Sequence, residues 1–281
     1  MATQATILEH PCGQCDGIVE PELVSIYPSS EVCLDCMPKA EIERLEKDLN
    51  QVQRLDRASL TQIPLVPGWE VGLHYRASRL ISGDFYDVRA EGSRVTLLLG
   101  DVMGKGIPAA LLRTGLQGSL KALIPEVSSP AAVLEKANRY FLDSASPGRL
   151  ATVFYGSLDA DSGELRYANA GHLAPLLRRA CGDWDKLDST GLVLGAIENA
   201  TYVEKSVQLD PGDILALFSD GFTEAENSDG EIFDEQHIAR WVDTDPDAPA
   251  QVIASTVADQ LARFAPGEPS DDRTLLMVKR A

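Results

Sequence analysis

The stretch Val95-Thr-Leu-Leu-Leu-Gly-Asp-Val-Met-Gly-Lys-Gly-Ile-Pro-Ala-Ala-Leu111 changes character twice. It opens as a short apolar run, which reads as a buried strand over residues 94–99. The run breaks at Gly100-Asp101. Two further glycines, Gly104 and Gly106, mark a tight turn, and Pro108 opens a helix expected to reach residue 123. That helix carries Ala109, Leu111, Leu112, Leu116 and Leu120 as its apolar residues. A strand that stops on an acid, a glycine turn and then a helix form one unit, and the rest of the chain is read outward from it.

Upstream, residues 69–76 and 84–90 read as strands, the second joined to the central strand across Glu91-Gly92-Ser93. Downstream, residues 130–142 form a second helix. Residues 151–159 and 164–170 make a hairpin across Asp161-Ser162-Gly163. Further strands are expected over 174–178, 202–209 and 213–218, helices over 234–242 and 248–264, and a last strand over 273–279. Helices come in pairs between groups of hairpin-linked strands, without a strict βαβ rhythm. That pattern points to an α+β fold with antiparallel sheets and helices packed outside.

Acidic residues fall where these strands end. Gly100-Asp101 follows one apolar run, and Ser219-Asp220-Gly221 follows Ile214-Leu-Ala-Leu-Phe218. Asp271-Asp272 directly precedes Thr274-Leu-Leu-Met-Val278, and Ser82-Gly83-Asp84-Phe-Tyr-Asp87 opens another strand. Each Asp-Gly alone is a turn signal. Four such clusters at strand ends would, if they converge, set several negative charges on one rim. Carboxylates within ~4–6 Å of each other raise one another's pKa or require a cation. Oxygen ligands without neighbouring Cys or His favour Mg²⁺ or Mn²⁺. Gly104-Lys105-Gly106 offers backbone N–H groups to an anion, or merely shapes the helix entry.

The chain has 281 residues with 25 Lys+Arg against 43 Asp+Glu, a net charge of -18. Such a surface repels phosphate backbones and anionic lipid, so neither nucleic acid nor a membrane is expected as partner. No apolar run approaches the ~20 residues of a membrane span, and the opening Met1-Ala-Thr-Gln-Ala-Thr lacks the features of a signal peptide. A cytoplasmic location with reduced cysteines is expected. Cys12-x-x-Cys15 and Cys33-x-x-Cys36 can offer four thiolates to one structural zinc, with a short hairpin expected between residues 18 and 27. Unconnected thiols or labile disulfides are the plain alternative. Residues 38–65 read as a helical connector, with Ile42, Leu45, Leu49 and Val52 in one stripe that slips at Leu55 and Asp56. The connector could lie on the main domain or form a parallel homodimer stalk through residues 38–62. The domains are therefore expected as 1–37, a zinc-ribbon-like module, 38–65, the connector, and 66–281, the main domain.

The runs Ala77-Ser-Arg-Leu-Ile-Ser-Gly-Asp-Phe-Tyr-Asp87 and Leu99-Gly-Asp-Val-Met-Gly-Lys-Gly-Ile-Pro-Ala-Ala-Leu111 resemble the opening motifs of the metal-dependent protein phosphatases. The resemblance is to their bacterial SpoIIE/RsbU-like branch. Asn169-Ala-Gly-His172, Gly191-Leu-Val-Leu-Gly195, Phe218-Ser-Asp-Gly-Phe-Thr-Glu-Ala225 and Asp271-Asp-Arg-Thr-Leu-Leu276 follow in the family's order. The resemblance implies an αββα sandwich of two antiparallel sheets. It implies two or three Mn²⁺ or Mg²⁺ ions on Asp84, Asp101, Asp220 and Asp271, with the Val102 carbonyl as a further ligand. Asp101 resembles the carboxylate that bridges the ions, while Asp87, Asp272 and His172 would stand behind the ligands. Met103 replaces a histidine proposed as general acid in many relatives, and a thioether cannot donate a proton. Arg79 is the candidate for gripping substrate phosphate.

The activity so implied is hydrolysis of phosphoserine or phosphothreonine on a regulatory partner, of the STAS anti-anti-sigma type, by direct attack of a metal-activated water. A catalytically silent phosphoprotein-binding scaffold of the same fold is the alternative. A zinc-ribbon nucleic-acid binder and a hydrolase of nucleotides or small phosphates are more distant ones.

Overall fold

The computed structural model describes residues 10–15, 18–19, 33, 36–59 and 62–281. The chain divides into two compact units, residues 1–58 and 59–281. The expected ribbon and most of the expected connector thus share one unit.

In the first unit, β1 (His10–Pro11) pairs antiparallel with β2 (Ile18–Val19), flanking the Cys12–Cys15 knuckle. The hairpin expected to begin at Ile18 lies, beyond Val19, outside the described residues. Helix α1 (Lys39–Ser59) follows the second cysteine pair. Its stripe is used within the unit. Leu45 is buried, and Ile42 and Leu49 are partly buried, against Cys12, Cys33 and Met37. Neither sequence reading of the connector foresaw this contact, because an apolar stripe says that a helix has a partner face and not which face it is. Leu55, where the stripe slips, is exposed.

The second unit is built on two five-stranded sheets. One contains β4 (Asp84–Glu91), β5 (Arg94–Val102), β6 (Ala151–Asp159), β7 (Glu164–Ala170) and β10 (Lys205–Gln208), in spatial order β10-β7-β6-β5-β4. The other contains β3 (Trp69–Arg76), β8 (Leu176–Arg178), β9 (Trp184–Lys186), β11 (Ile214–Phe218) and β12 (Arg273–Arg280), ordered β3-β12-β11-β8-β9. Every pairing within the sheets is antiparallel. Helices α2 (Ile107–Glu126) and α3 (Pro130–Ser144) cover the first sheet. Helices α5 (Glu235–Val242) and α6 (Ala250–Phe264) cover the second. The result is the αββα sandwich.

The unbroken apolar runs follow from this layering. On β5, Val95, Leu97 and Leu99 point into the core between the sheets, while Leu98 and Val102 point into the core under α2 and α3. On β11, Leu215 and Leu217 face the other sheet while Ile214, Ala216 and Phe218 face the helices. A strand with both faces covered has no polar side to alternate with. Each such leucine contributes about 1.5–3 kcal/mol of burial free energy.

The apolar face of α2 differs from the one expected. Leu111 is exposed, whereas Arg113 and Gln117 are buried beside Leu116 and Leu120. Arg113 Nη1 donates to the Asp84 carbonyl at 3.3 Å and Gln117 Nε2 to the Tyr86 carbonyl at 3.4 Å. These polar side chains pin the helix to β4. The expected strand over 202–209 shortens to β10, because Ala200 and Tyr202 pack into the helix-side core instead. Strand β9 and the single turn α4 (Asp220–Thr223) were not expected.

Candidate active site

Asp84 and Asp101 stand directly opposite each other on β4 and β5. Facing residues on antiparallel strands have Cα atoms about 4.5–5.5 Å apart, so the two carboxyls are forced together by register alone. Asp84 is buried at 1% exposure. Its Oδ2 accepts from Thr274 Oγ1 on β12 at 2.6 Å, a bond that crosses between the sheets.

Asp220 and Asp271 arrive from the second sheet. β11 ends at Phe218, and the chain turns into α4. Ser219 Oγ donates to the Asp272 carbonyl and accepts from Thr274 N. A Cβ on Gly221 would collide with the Asp272 carbonyl, so only glycine allows the Asp220 turn to press against the Asp271–Asp272 turn. Asp101, Asp220 and Asp271 then line one cleft of about 360 Å³, with Met103, Gly104, Lys105, Leu150, Ala151, Thr152 and Val193.

A second glycine shapes the cation-facing wall. A Cβ on Gly83 would lie 2.9 Å from the Val102 carbonyl oxygen, 3.2 Å from Asp101 Oδ1 and 3.4 Å from the Gly104 carbonyl oxygen. Two of the expected ligand atoms, from Asp101 and Val102, therefore face the same small space. Among the described residues, no three carboxylates gather within 4.8 Å of one another, as the four cysteine sulfurs do. The acids surround a space larger than one ion's shell. That suits ions of the Mg²⁺ type, which take one or two carboxylates and keep waters.

The electrostatics agree with a cation site. Burial, then repulsion from Asp101, holds the Asp84 carboxyl well above its ordinary range. Burial, then the neighbouring Asp220, Asp271 and Asp272, pushes Asp101 up to about 7. Burial and Asp271 push Asp220 up to about 6. In metal-free protein these groups bind protons more readily folded than unfolded, from the ordinary 3.8 up to about 7. Their contribution to stability is therefore present at low pH and lost as pH rises through that window. Chelator-treated protein is expected to melt at a lower temperature at pH 8 than at pH 5.5, with a smaller difference in Asp101→Asn. A melting temperature that holds or rises between those pH values, relative to Asp101→Asn, contradicts this.

The remaining expected residues separate into those that support the cleft and those that do not reach it. Asp272 is buried and fully engaged: Oδ1 accepts from Ser78 N and Oγ at 2.7 and 2.9 Å, and Oδ2 from Gly83 N at 2.7 Å. It straps the loop before β4 to the start of β12. His172 Nδ1 lies 2.8 Å from Thr152 Oγ1, a hydroxyl on the cleft wall. Its own backbone is bracketed by Asn169, whose amide accepts from His172 N and donates to its carbonyl. Burial drives His172 down to about 4, so it is a neutral ring at pH 7 and not a proton reservoir. Asp87 falls on the opposite face of β4 from Asp84, since strand side chains alternate, and pairs with Arg89 at 2.8 Å. It therefore stands with the helix layer and not behind the ligands. Arg79 is exposed on the β3–β4 loop and does not line the cleft.

The profile of the family described as Stage II sporulation protein E (SpoIIE) matches residues 91–281. The chain belongs to the SpoIIE family. "Phosphoserine phosphatase RsbU" of Bacillus subtilis (strain 168) is 27% identical over 221 residues, covering 78% of this chain and 66% of RsbU. "Phosphoserine phosphatase RsbP" of the same organism is 25% identical over 181 residues, covering 63% of this chain and 45% of RsbP. The chain thus spans less than two thirds of the length of these curated relatives. Among solved structures, that of the RsbU and RsbW domains of Rv1364c from Mycobacterium tuberculosis is 28% identical with TM-score 0.68, covering 79% of this chain and 62% of that one. The SiaA-PP2C domain of Pseudomonas aeruginosa shares the fold at TM-score 0.75 and 20% identity, covering 86% of this chain and 99% of that domain.

In this SpoIIE-family chain, two arginines beside the cleft residues escaped the sequence reading. Arg113 sits at a buried step of the α2 stripe, and its 3- and 4-residue spacing from Ala110, Ala109 and Leu116 was a usable signal. Arg149 gave none. Its Nη1 would lie 3.1 Å from a Cβ on Gly104, so the guanidinium rests against the cleft wall. It is half-buried on the turn before β6.

In the first unit, the four sulfurs of Cys12, Cys15, Cys33 and Cys36 lie within 4.8 Å of one another, with Cys15 Sγ and Cys33 Sγ 3.6 Å apart. All four are free thiols. Zinc–sulfur bonds of ~2.3 Å in a tetrahedron place the sulfurs ~3.8 Å apart, so the set fits that ion. Cys33 N and Gln14 N both donate to Cys12 Sγ at 3.4 Å. Chiefly these backbone N–H groups bring the Cys12 thiol down to about 6, while hydrogen bonding with Cys15 and Cys33 takes Cys36 up to about 12. No described helix is long and apolar enough to cross a membrane.

Proposed function

We propose that the chain is a metal-dependent protein serine/threonine phosphatase acting on a phosphorylated regulatory partner, of the STAS anti-anti-sigma type. The observation that carries this reading is the cleft formed by Asp101, Asp220 and Asp271, with Asp84 opposite Asp101. The printed names of RsbU and RsbP as phosphoserine phosphatases support it.

Two or three Mn²⁺ or Mg²⁺ ions, when bound, would lower the pKa of water and neutralise the phosphoryl group. Asp84, Asp101, Asp220, Asp271 and the Val102 carbonyl would hold them. The protein's own work is positioning. Thr274 and Arg113 fix Asp84 by side chain and carbonyl. Asp272 fixes the loop that carries Gly83. His172 orients the Thr152 hydroxyl toward one rotamer at the wall. Met103 has no proton to give and His172 is neutral, and on this reading the leaving oxygen takes its proton from water. The four-cysteine unit would hold a structural Zn²⁺, since four thiolates leave no open position. A homodimer through residues 38–62 would use the end of the stripe at Val52 and Leu55, which among the described residues lies outside the cluster around the cysteines.

The phosphate-gripping role, assigned to Arg79 from sequence, is better filled by Arg149. Neither arginine is among the residues lining the cleft, but the Arg149 guanidinium rests against Gly104, which is, whereas Arg79 stands exposed on the β3–β4 loop. The test is phosphate release from a serine-phosphorylated STAS-type protein with and without Mn²⁺. Release only with the ion is expected, and absence of release under both conditions, with the phosphoprotein still bound, favours the scaffold reading. Within that assay Arg149→Ala should raise KM about 10-fold or more, the worth of a charge-assisted hydrogen bond of ~1.5–3 kcal/mol, and Arg79→Ala much less. Equal KM values for Arg149→Ala and the parent remove Arg149 from this role.

A further inference from the structure

The acidic cleft has an ammonium group of its own. Lys105 lines it together with Asp101, Asp220 and Asp271. Lys105 Nζ lies 2.8 Å from Asp271 Oδ2 and donates to the Ser270 carbonyl at 2.6 Å. The other Asp271 oxygen, Oδ1, accepts from Asp272 N at 2.9 Å. Both oxygens of a candidate metal ligand are thus already engaged, one by backbone and one by a full positive charge. The backbone bond can persist while Oδ2 serves a cation. The lysine contact cannot persist unchanged, because an ammonium and a divalent ion sharing one oxygen would stand only a few ångströms apart and repel.

The geometry of the turn lets the lysine leave. Lys105 is flanked by Gly104 and Gly106, with φ of 110° and 74°. These values are accessible to glycine at little cost, and the side chain is partly exposed on a four-carbon stem. Its ammonium thus stands on the same wall as Asp101, Asp220 and Asp271, where a divalent ion held by those acids would also lie.

We infer that Lys105 is a resident counter-cation that competes with the divalent ion for Asp271 Oδ2, so that ion binding at Asp271 displaces the lysine. This rests on the reading of Asp271 as a metal ligand and deepens it. Lys105 is a positioning residue on this account, and its substitution tightens ion binding instead of weakening it. Loss of a lysine that merely supported the turn would do the opposite.

The test is calorimetric titration of the full chain, free of substrate, with Mn²⁺. Lys105→Met should bind the ion contributed by Asp271 roughly three- to fivefold more tightly, the scale of a partly exposed ion pair. Lys105→Arg should stay near the parent. In an Asp271→Asn background, Lys105→Met should change the Mn²⁺ affinity little. Unchanged or weaker binding by Lys105→Met overturns the inference. So does equal tightening in the Asp271→Asn background, since general charge and not this contact would then be responsible. The assay contains no phosphoprotein. A chain whose Mn²⁺ affinity responds to Lys105 in this way but which releases no phosphate would leave this inference standing and defeat the phosphatase reading alone.

Discussion

Asp101→Asn is expected to reduce phosphate release by about 10³-fold or more, and Asp220→Asn to do the same. Asp101 occupies the middle of the site: it faces Asp84 across the strand pair, lines the cleft with Asp220 and Asp271, and shares the Gly83 space with the Val102 carbonyl. Replacing one carboxylate oxygen by an amide removes a charged ligand without changing shape. Divalent ions contribute several kcal/mol of transition-state stabilisation, and each 1.36 kcal/mol is tenfold in rate. The fold should survive, because in metal-free protein Asp101 is destabilised by its neighbours, so asparagine relieves repulsion. The measurements are Mn²⁺ binding, phosphate release and melting temperature on the same samples. Full activity in Asp101→Asn, with metal bound as in the parent, would show that this cleft is not the reaction centre.

The second large effect concerns the first unit. Cys33→Ser, or removal by a strong chelator of the zinc proposed for this site, is expected to unfold the four-cysteine cluster and α1 while leaving residues 62–281 folded. The buried apolar cluster described there consists of Cys12, Cys33, Met37 and Leu45, two of which are themselves proposed ligands. Among the described residues that core is small against ~1–2 kcal/mol of backbone entropy per ordered residue. Four-cysteine zinc binding supplies ~10–16 kcal/mol at neutral pH, which is folding free energy for such a module. Limited proteolysis should cut Cys33→Ser within α1 at a protease concentration that leaves α1 of the parent intact. Bound zinc, by metal analysis, should fall from one per chain to near zero. A Cys33→Ser chain with parental protease resistance and no zinc would mean that the unit stands on packing alone.

The strands were legible because burial on two faces writes an unbroken apolar run, and the four acids because each interrupts such a run beside a glycine. Arg149 was not legible: an arginine in Pro147-Gly148-Arg149 reads as a surface turn until the approach of Gly104 is known. Leu111 and Arg113 show the same limit in reverse. The apolar residues of α2 identified a helix with a buried face, but they did not show that Arg113 and Gln117 would be buried on it as donors to carbonyls of β4. The resemblance implied that Asp87 stands behind the ligands with Asp272 and His172, and alternation on β4 puts it on the face opposite Asp84.

The αββα sandwich was implied by the family resemblance; by itself, the amino-acid sequence determined an α+β pattern of antiparallel strands with helices outside, four acids at strand ends and two cysteine pairs at metal-binding spacing. Those are local properties, set by periodicity and by the turn chemistry of adjacent residues. The tertiary structure alone decided which acids share a cleft, which cation already sits among them, and where the stripe of α1 is used. Those are contacts between residues far apart in the chain, such as Asp272 with Ser78 and Gly83, or Lys105 with Asp271. Such contacts depend on how β4 and β5 of one sheet meet β11 and β12 of the other, and no local pattern encodes that meeting.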